Sequence, residues 1–194
     1  MARNVFLTGC IFISLVFASP SSGGDKDVGY RGIPWGSTQG RFKLGFPETT
    51  SWDQGDGMLA AEMKIVSRDA ILAGSFVDGK LTSVSVIFRE KFSNNNSYLG
   101  SYQAVKDLLN QKYGASELKA SWSNDLYSSD ASHYGFAVSI GHLALSNSWE
   151  TGETSIDMIL SGNNYKITHA VRYASKALKG MADRSSKEKS LGDL

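Results

Sequence analysis

The chain has 194 residues, a formal charge of +1, three histidines and a single cysteine, Cys10. That length suits one domain able to bury about two thirds of its extended-chain surface, and a lone cysteine near the start leaves the rest of the chain without a disulfide framework, a thiol nucleophile or a cysteine-based metal site. Lys and Arg cluster only in Lys176 to Lys189, where Asp183 and Glu188 dilute them, so no nucleic-acid partner is expected.

The amino terminus carries a compartment signal. Arg3 supplies a short positive segment, Val5 to Phe17 is almost wholly apolar, and Val16 and Ala18 stand three and one residues before a cleavage point. The pattern is that of a secretory signal peptide cut after Ala18. The apolar run is shorter than the roughly 20 residues a membrane span needs, and no later run approaches that length. The mature chain is therefore expected to be exported, periplasmic or secreted, with no transmembrane segment. Leu7-Thr8-Gly9-Cys10 spells a lipoprotein cleavage box, but Ile11 to Phe17 continue the apolar run beyond it, which makes lipid attachment at Cys10 the weaker alternative. Arg3 is the only charge in residues 1–18, so its removal brings +1 to zero. Residues 19–29 read as a Ser/Gly/Asp linker.

Downstream, Gly32-Ile33-Pro34-Trp35-Gly36 reads as an extended entry that turns sharply after Trp35. Gln39 to Pro47 contains two glycines and ends at a proline, which erodes any helix there, and Thr49 to Gly57 reads as a loop with Trp52 as an anchor. Asp53 and Asp56 lack the alternating oxygen ligands and distal Glu of a calcium loop. Glu62 to Ser67 is expected to be a strand beside a central hairpin, Ile71 to Phe88, folded about Asp78-Gly79. Asp-Gly is a strong signal for a type I′ turn, which needs positive φ at both central residues. Counted outward from that turn, Ala73 faces Val84 and Ile71 faces Val86, placing Ile71, Ala73, Val84, Val86 and Phe88 on one face.

Asn94 to Ser97 forms a polar break, after which Tyr98, Tyr102, Val105, Leu108, Leu109 and Tyr113 recur at helical spacing until Gly114. One well-defined helix over about 98–113 is expected, its apolar stripe covering the hairpin face. Tyr134 to Trp149, Ser155 to Leu160 and Tyr165 to Tyr173 read as a three-stranded meander, with turns at Glu150 to Glu153 and at Gly162-Asn163-Asn164. The sum is an α+β domain over 30–175: an antiparallel meander sheet in two similar halves, each a helix followed by strands. Residues 176–194 are expected to be a short helix and a charged tail without structure.

The Gly32-Ile33-Pro34-Trp35-Gly36 opening and the later helix end Lys112-Tyr113-Gly114 resemble a group of uncharacterised exported bacterial proteins. In these a Gly-aromatic-Gly segment introduces a helix and a meander, and a second helix ending in Lys-Tyr-Gly introduces a second meander. The resemblance covers most of Tyr30 to Ser175 and implies an exported α+β domain. It carries no catalytic residues with it.

Catalytic words are missing from the sequence. There is no Gly-x-Ser-x-Gly elbow, and the one Ser-x-x-Lys, Ser186 with Lys189, falls in the charged tail. His133, His142 and His169 form no close-spaced pair, so neither metal nor other cofactor is expected. Glu150, Glu153 and Asp157 read as turn and strand-surface carboxylates. Trp52, Trp122, Tyr127 and Tyr134 stand outside the cleanest core periods and are the candidate binding residues, the alternative being that they pin loops to the sheet. The favoured function is an exported non-enzymatic binding or accessory domain of the bacterial envelope, with an envelope protein or surface component as partner. The alternative is a hydrolase of envelope polymer, which would require carboxylates or histidines to converge in a cleft.

Overall fold

Asp78 and Gly79 both adopt positive φ, 50° and 73°, and close the hairpin between β5 (Arg68–Val77) and β6 (Lys80–Phe88) as their chemistry requires. The structure, a computed structural model, describes residues 29–192 except residue 56. The expected signal peptide, Cys10, Asp56 and residues 19–28 of the linker lie outside the described residues.

Before the hairpin come a two-stranded ribbon, β1 (Gly29–Tyr30) and β2 (Ile33–Pro34), a short helix α1 (Gln39–Leu44), and strands β3 (Asp53–Gly55) and β4 (Met58–Ile65). After it come helix α2 (Asn96–Tyr113), β7 (Lys119–Trp122), a 3-10 turn (Ala131–His133), α3 (Tyr134–Ser139), β8 (Leu143–Glu150), β9 (Thr154–Asn163), β10 (Lys166–Ser175) and α4 (Lys179–Gly192). The strand order is β3-β4-β5-β6-β10-β9-β8-β7 in one eight-stranded antiparallel sheet. Each half is a helix followed by a meander, and the halves meet where β6 pairs with β10. The α+β architecture in two similar halves is therefore present, with α2 as its one long helix packed on the sheet.

The hairpin face differs from the count made outward from the turn. Val77 pairs with Lys80 and Phe76 with Leu81, but the register then shifts, and Gly74 pairs with Val84 and Leu72 with Val86. Thr82 is the extra residue of this β-bulge, its hydroxyl donating to the Ser75 carbonyl at 3.2 Å. A one-residue slip exchanges the faces of the partner strand. Val84, Val86 and Phe88 do face the main core, but opposite them stand Ala70 and Leu72, whereas Ile71 and Ala73 lie on the other side of the sheet. The bulge also lets Leu81 and Val84, three residues apart, both be fully buried.

The helix cover differs as well. α2 lies over β8 and β9 and against α3, while α1 lies over β6. Phe42 of α1 packs edge-on to Phe76, Phe46 and Trp52, so an aromatic cluster from the first half closes the hairpin face assigned to α2. The buried face of α2 is Ser101, Tyr102, Val105 and Leu109, and Leu108 is 42% exposed. Beneath it Asn147 of β8 is 1% exposed and fully engaged: Tyr102 Oη donates to its Oδ1 at 2.7 Å, and its Nδ2 donates to Ser116 Oγ and Glu117 O at 3.0 and 2.9 Å. Tyr134 to Ser139, read as strand, is helix α3. The charged tail, expected without structure beyond a short helix, is helical to Gly192; half-buried Ala182 faces the side of the sheet carrying Ser155, Arg172 and Ala174.

Two substitutions test this account. Gly79→Val should lower unfolding free energy by more than about 1 kcal/mol, because a β-branched residue resists positive φ. Tyr102→Phe should cost about 1–3 kcal/mol by stranding the buried Asn147 oxygen, far more than loss of an exposed hydroxyl. Urea denaturation of the single variants reads both.

Candidate functional site

The segment 121–142 folds into a cap at the β7 edge, and the start of α2 holds it there. Asn96 donates from Nδ2 to Ser132 O at 2.7 Å and accepts from Gly135 N at 2.8 Å, while Asn95 Nδ2 donates to Ser139 Oγ at 3.2 Å. Gly135 is buried where a Cβ would collide with the backbone of Asn95 and Asn96. Only glycine allows α3 to approach α2 this closely.

The cap gathers aromatic rings. Trp122 meets Tyr134 edge-on at 5.3 Å, and Tyr127 stacks on His133 at 5.5 Å and stands edge-on to Phe136 at 5.5 Å, with His142 at 6.1 Å. Phe136 in turn lies 6.4 Å from Tyr165 in the β9–β10 turn. Tyr134 Oη donates to Ser128 O at 2.8 Å, pinning the loop. Three of the four candidate aromatics, Trp122, Tyr127 and Tyr134, thus lie in the cap, each half-buried, in two ring groups, Trp122 with Tyr134 and Tyr127 with His133 and Phe136. Trp52 does not join them: it packs on Phe42 and Phe46 in the first half, as a loop anchor. Pattern reading missed Phe136 and Tyr165. Both fit the period-2 reading of the second meander, in which a residue of a helix or a turn carries no special mark.

The ionisable groups behave differently from one another. Asp130 Oδ2 and His133 Nδ1 are 2.7 Å apart, with both side chains about half exposed (51% and 52%). Hydrogen bonds from the Ser132 hydroxyl, and then from His133, hold the Asp130 carboxyl below its usual range. Of the other carboxylates weighed as possible acids or bases, Glu150 is paired with Lys176 at 2.9 Å and Asp157 accepts from Ser148 at 2.8 Å. Among the described residues no group of three or more His, Cys, Asp or Glu side chains is placed to hold a metal ion. His169 is 2% exposed, sandwiched between Phe88 at 4.6 Å and Tyr102 at 5.6 Å, with Ser101 Oγ 3.5 Å from its Nδ1. Ser101 also donates to Glu90, and Arg68 donates to Glu90 at 2.6 Å and to Ser101 at 2.5 Å. This network ties β5, β10 and α2 together. Ser101 and His169 lie buried under the helix, while the Arg68 and Glu90 side chains keep 24% and 16% of their surface exposed.

Compared with known proteins, the chain matches no family model, no curated protein and no solved structure. Among the described residues no helix is long and apolar enough to cross a membrane.

Burial, and then the nearby Arg68 charge, push the His169 pKa from 6.5 down to about 4. The unfolded chain takes up this proton near its ordinary value, so the contribution is intact above about pH 6.5 and is lost as pH falls toward 4, up to about 3 kcal/mol. His169→Gln should flatten that limb of a stability-against-pH curve measured by urea denaturation.

Proposed function

We propose that this chain is an exported, non-enzymatic binding or accessory domain of the bacterial envelope, engaging an envelope protein or surface component through the cap at the β7 edge. The observation that carries the reading is the placement of Trp122, Tyr127 and Tyr134, separated in sequence, in one partly exposed cap, as two ring groups: Trp122 with Tyr134, and Tyr127 with His133 and Phe136. A cluster of half-buried rings on a rigid scaffold supplies large contact area at low entropic cost, which is how recognition surfaces gain affinity. Its support is rigid because Asn95 and Asn96 fasten it to α2. Export rests on the apolar run Val5 to Phe17 followed by Ala18.

Two measurements test the proposal. Amino-terminal sequencing of the protein from its host should begin at Ser19, and a lipid-bearing Cys10 or an uncut cytoplasmic protein overturns the export reading. Cross-linking in intact envelopes should give discrete adducts that fall at least about fivefold, a loss of roughly 1 kcal/mol of binding, with Trp122→Ala and Tyr127→Ala. Trp52→Ala should leave them unchanged, and adducts indifferent to all three substitutions place the binding surface elsewhere.

A further inference from the structure

The turn between β9 and β10 is built against local preference. Asn164 and Tyr165 have φ of 48° and 63°, so both central residues of this two-residue turn lie in the left-handed region. Such a turn favours Asn then Gly; here a bulky tyrosine occupies the second position. Tyr165 N donates to Ser139 O at 3.0 Å, which fixes the turn on the end of α3, and the ring is nonetheless 70% exposed. Burial therefore gives little return for the strain of this side chain, as at Val66 and Ser67 in the β4–β5 turn, whose φ are 52° and 62°; what sets Tyr165 apart is that its exposed ring stands beside Phe136.

Phe136 links that ring to a groove of about 340 Å³ lined by Ser93, Asn94, Asn95, Asn96, Ser132 and Phe136 itself. The lining is amides, hydroxyls and one aromatic ring, with no charged side chain. Part of its polar capacity is open: among the described residues the Asn94 amide nitrogen, the Asn95 side-chain oxygen and the Ser93 hydroxyl make no hydrogen bond. From Ser121 to His142, the segment that borders the groove, the sequence contains Asp125 and Asp130 and neither Lys nor Arg. The lining itself thus offers a polyanion no cation and its border two carboxylates, the nearest basic residues in sequence to the groove and the ring being Lys91 and Lys166.

Resting on the binding-domain reading above, we infer that this groove and the Tyr165 ring take a neutral polysaccharide. Sugar rings present an apolar C–H face that packs on an aromatic ring and an equatorial fringe of hydroxyls that both donate and accept. Phe136 and Tyr165 supply the first need, the unused amide and hydroxyl groups of Ser93, Asn94 and Asn95 the second. The absence of charge in the lining selects neutral chains over acidic ones.

Native electrophoresis through gels containing laminarin, hydroxyethylcellulose or galactomannan, with alginate as the acidic counterpart, tests the inference. Retardation by at least one neutral polymer and none by alginate is expected. Tyr165→Gly should weaken it roughly tenfold while Tyr165→Phe retains it, since the ring and not the hydroxyl is used. Because glycine suits the left-handed turn, Tyr165→Gly should melt no lower than the parent, so it remains decisive even if Phe136→Ala fails to fold. Retardation by alginate alone, by none of the three neutral polymers, or by a neutral polymer equally for Tyr165→Gly overturns the inference. If it is overturned while envelope cross-links still depend on Trp122 and Tyr127, the glycan assignment falls and the binding-domain reading stands; loss of both removes the reading on which it rests.

Discussion

Everything in this fold depends on one strand pair. β6 and β10 run antiparallel from Ser83 opposite Ala174 to Phe88 opposite His169, and this pairing joins two separate meanders into a single sheet. Without it each half would expose a four-stranded edge of unpaired backbone groups and too little apolar area to offset its ordering cost. With it, Val84 and Val86 of the first half and Val171 and Tyr173 of the second lie side by side under both helices' territories. The polar network of Arg68, Glu90, Ser101 and His169 lies at one end of the same seam, where it clamps α2 to strands from both halves.

The two halves repeat a topology but solve their packing differently. In the first, α1 is only six residues long, and the missing helical surface is replaced by Tyr30, Phe46, Trp52 and Phe76 around Phe42. In the second, α2 is long enough to cover β8 and β9, and it is located by the fully satisfied Asn147 instead of by apolar packing alone. A buried amide with all its partners present specifies one helix position, since sliding the helix would leave it unpaired. α3 packs against α2 and over β8, β9 and β10, and its short span sets the aromatic cap at the β7 edge. The candidate site is therefore a consequence of how the second half closes its core.

Several features were legible from residue order. The Asp78-Gly79 turn, the α2 stripe and its stop at Gly114, and the phases of β8, β9 and β10 all depend on neighbours within a few positions, and they appear as expected. The error at the hairpin came from assuming an unbroken period. Leu81, Val84, Val86 and Phe88 carry a one-residue break in their apolar spacing, the signature of the bulge at Thr82, which counting from the turn overrode. In the candidate site Trp122, Tyr127 and Tyr134 stood out because they fell outside the core periods. Phe136 and Tyr165 did not, since each fitted a strand assignment.

Apart from α3 and the length of α4, the sequence by itself determined the element types, the α+β class and the division into two similar halves, because turn chemistry and apolar period act over a few residues and need no partner to be expressed. Only the tertiary structure decided which helix covers which strands, the face on which Ile71 and Ala73 lie, and the meeting of Tyr165 with the cap at Phe136. Those outcomes depend on contacts between residues far apart in the chain, where a single bulge or one buried amide selects among packings whose local preferences are equal.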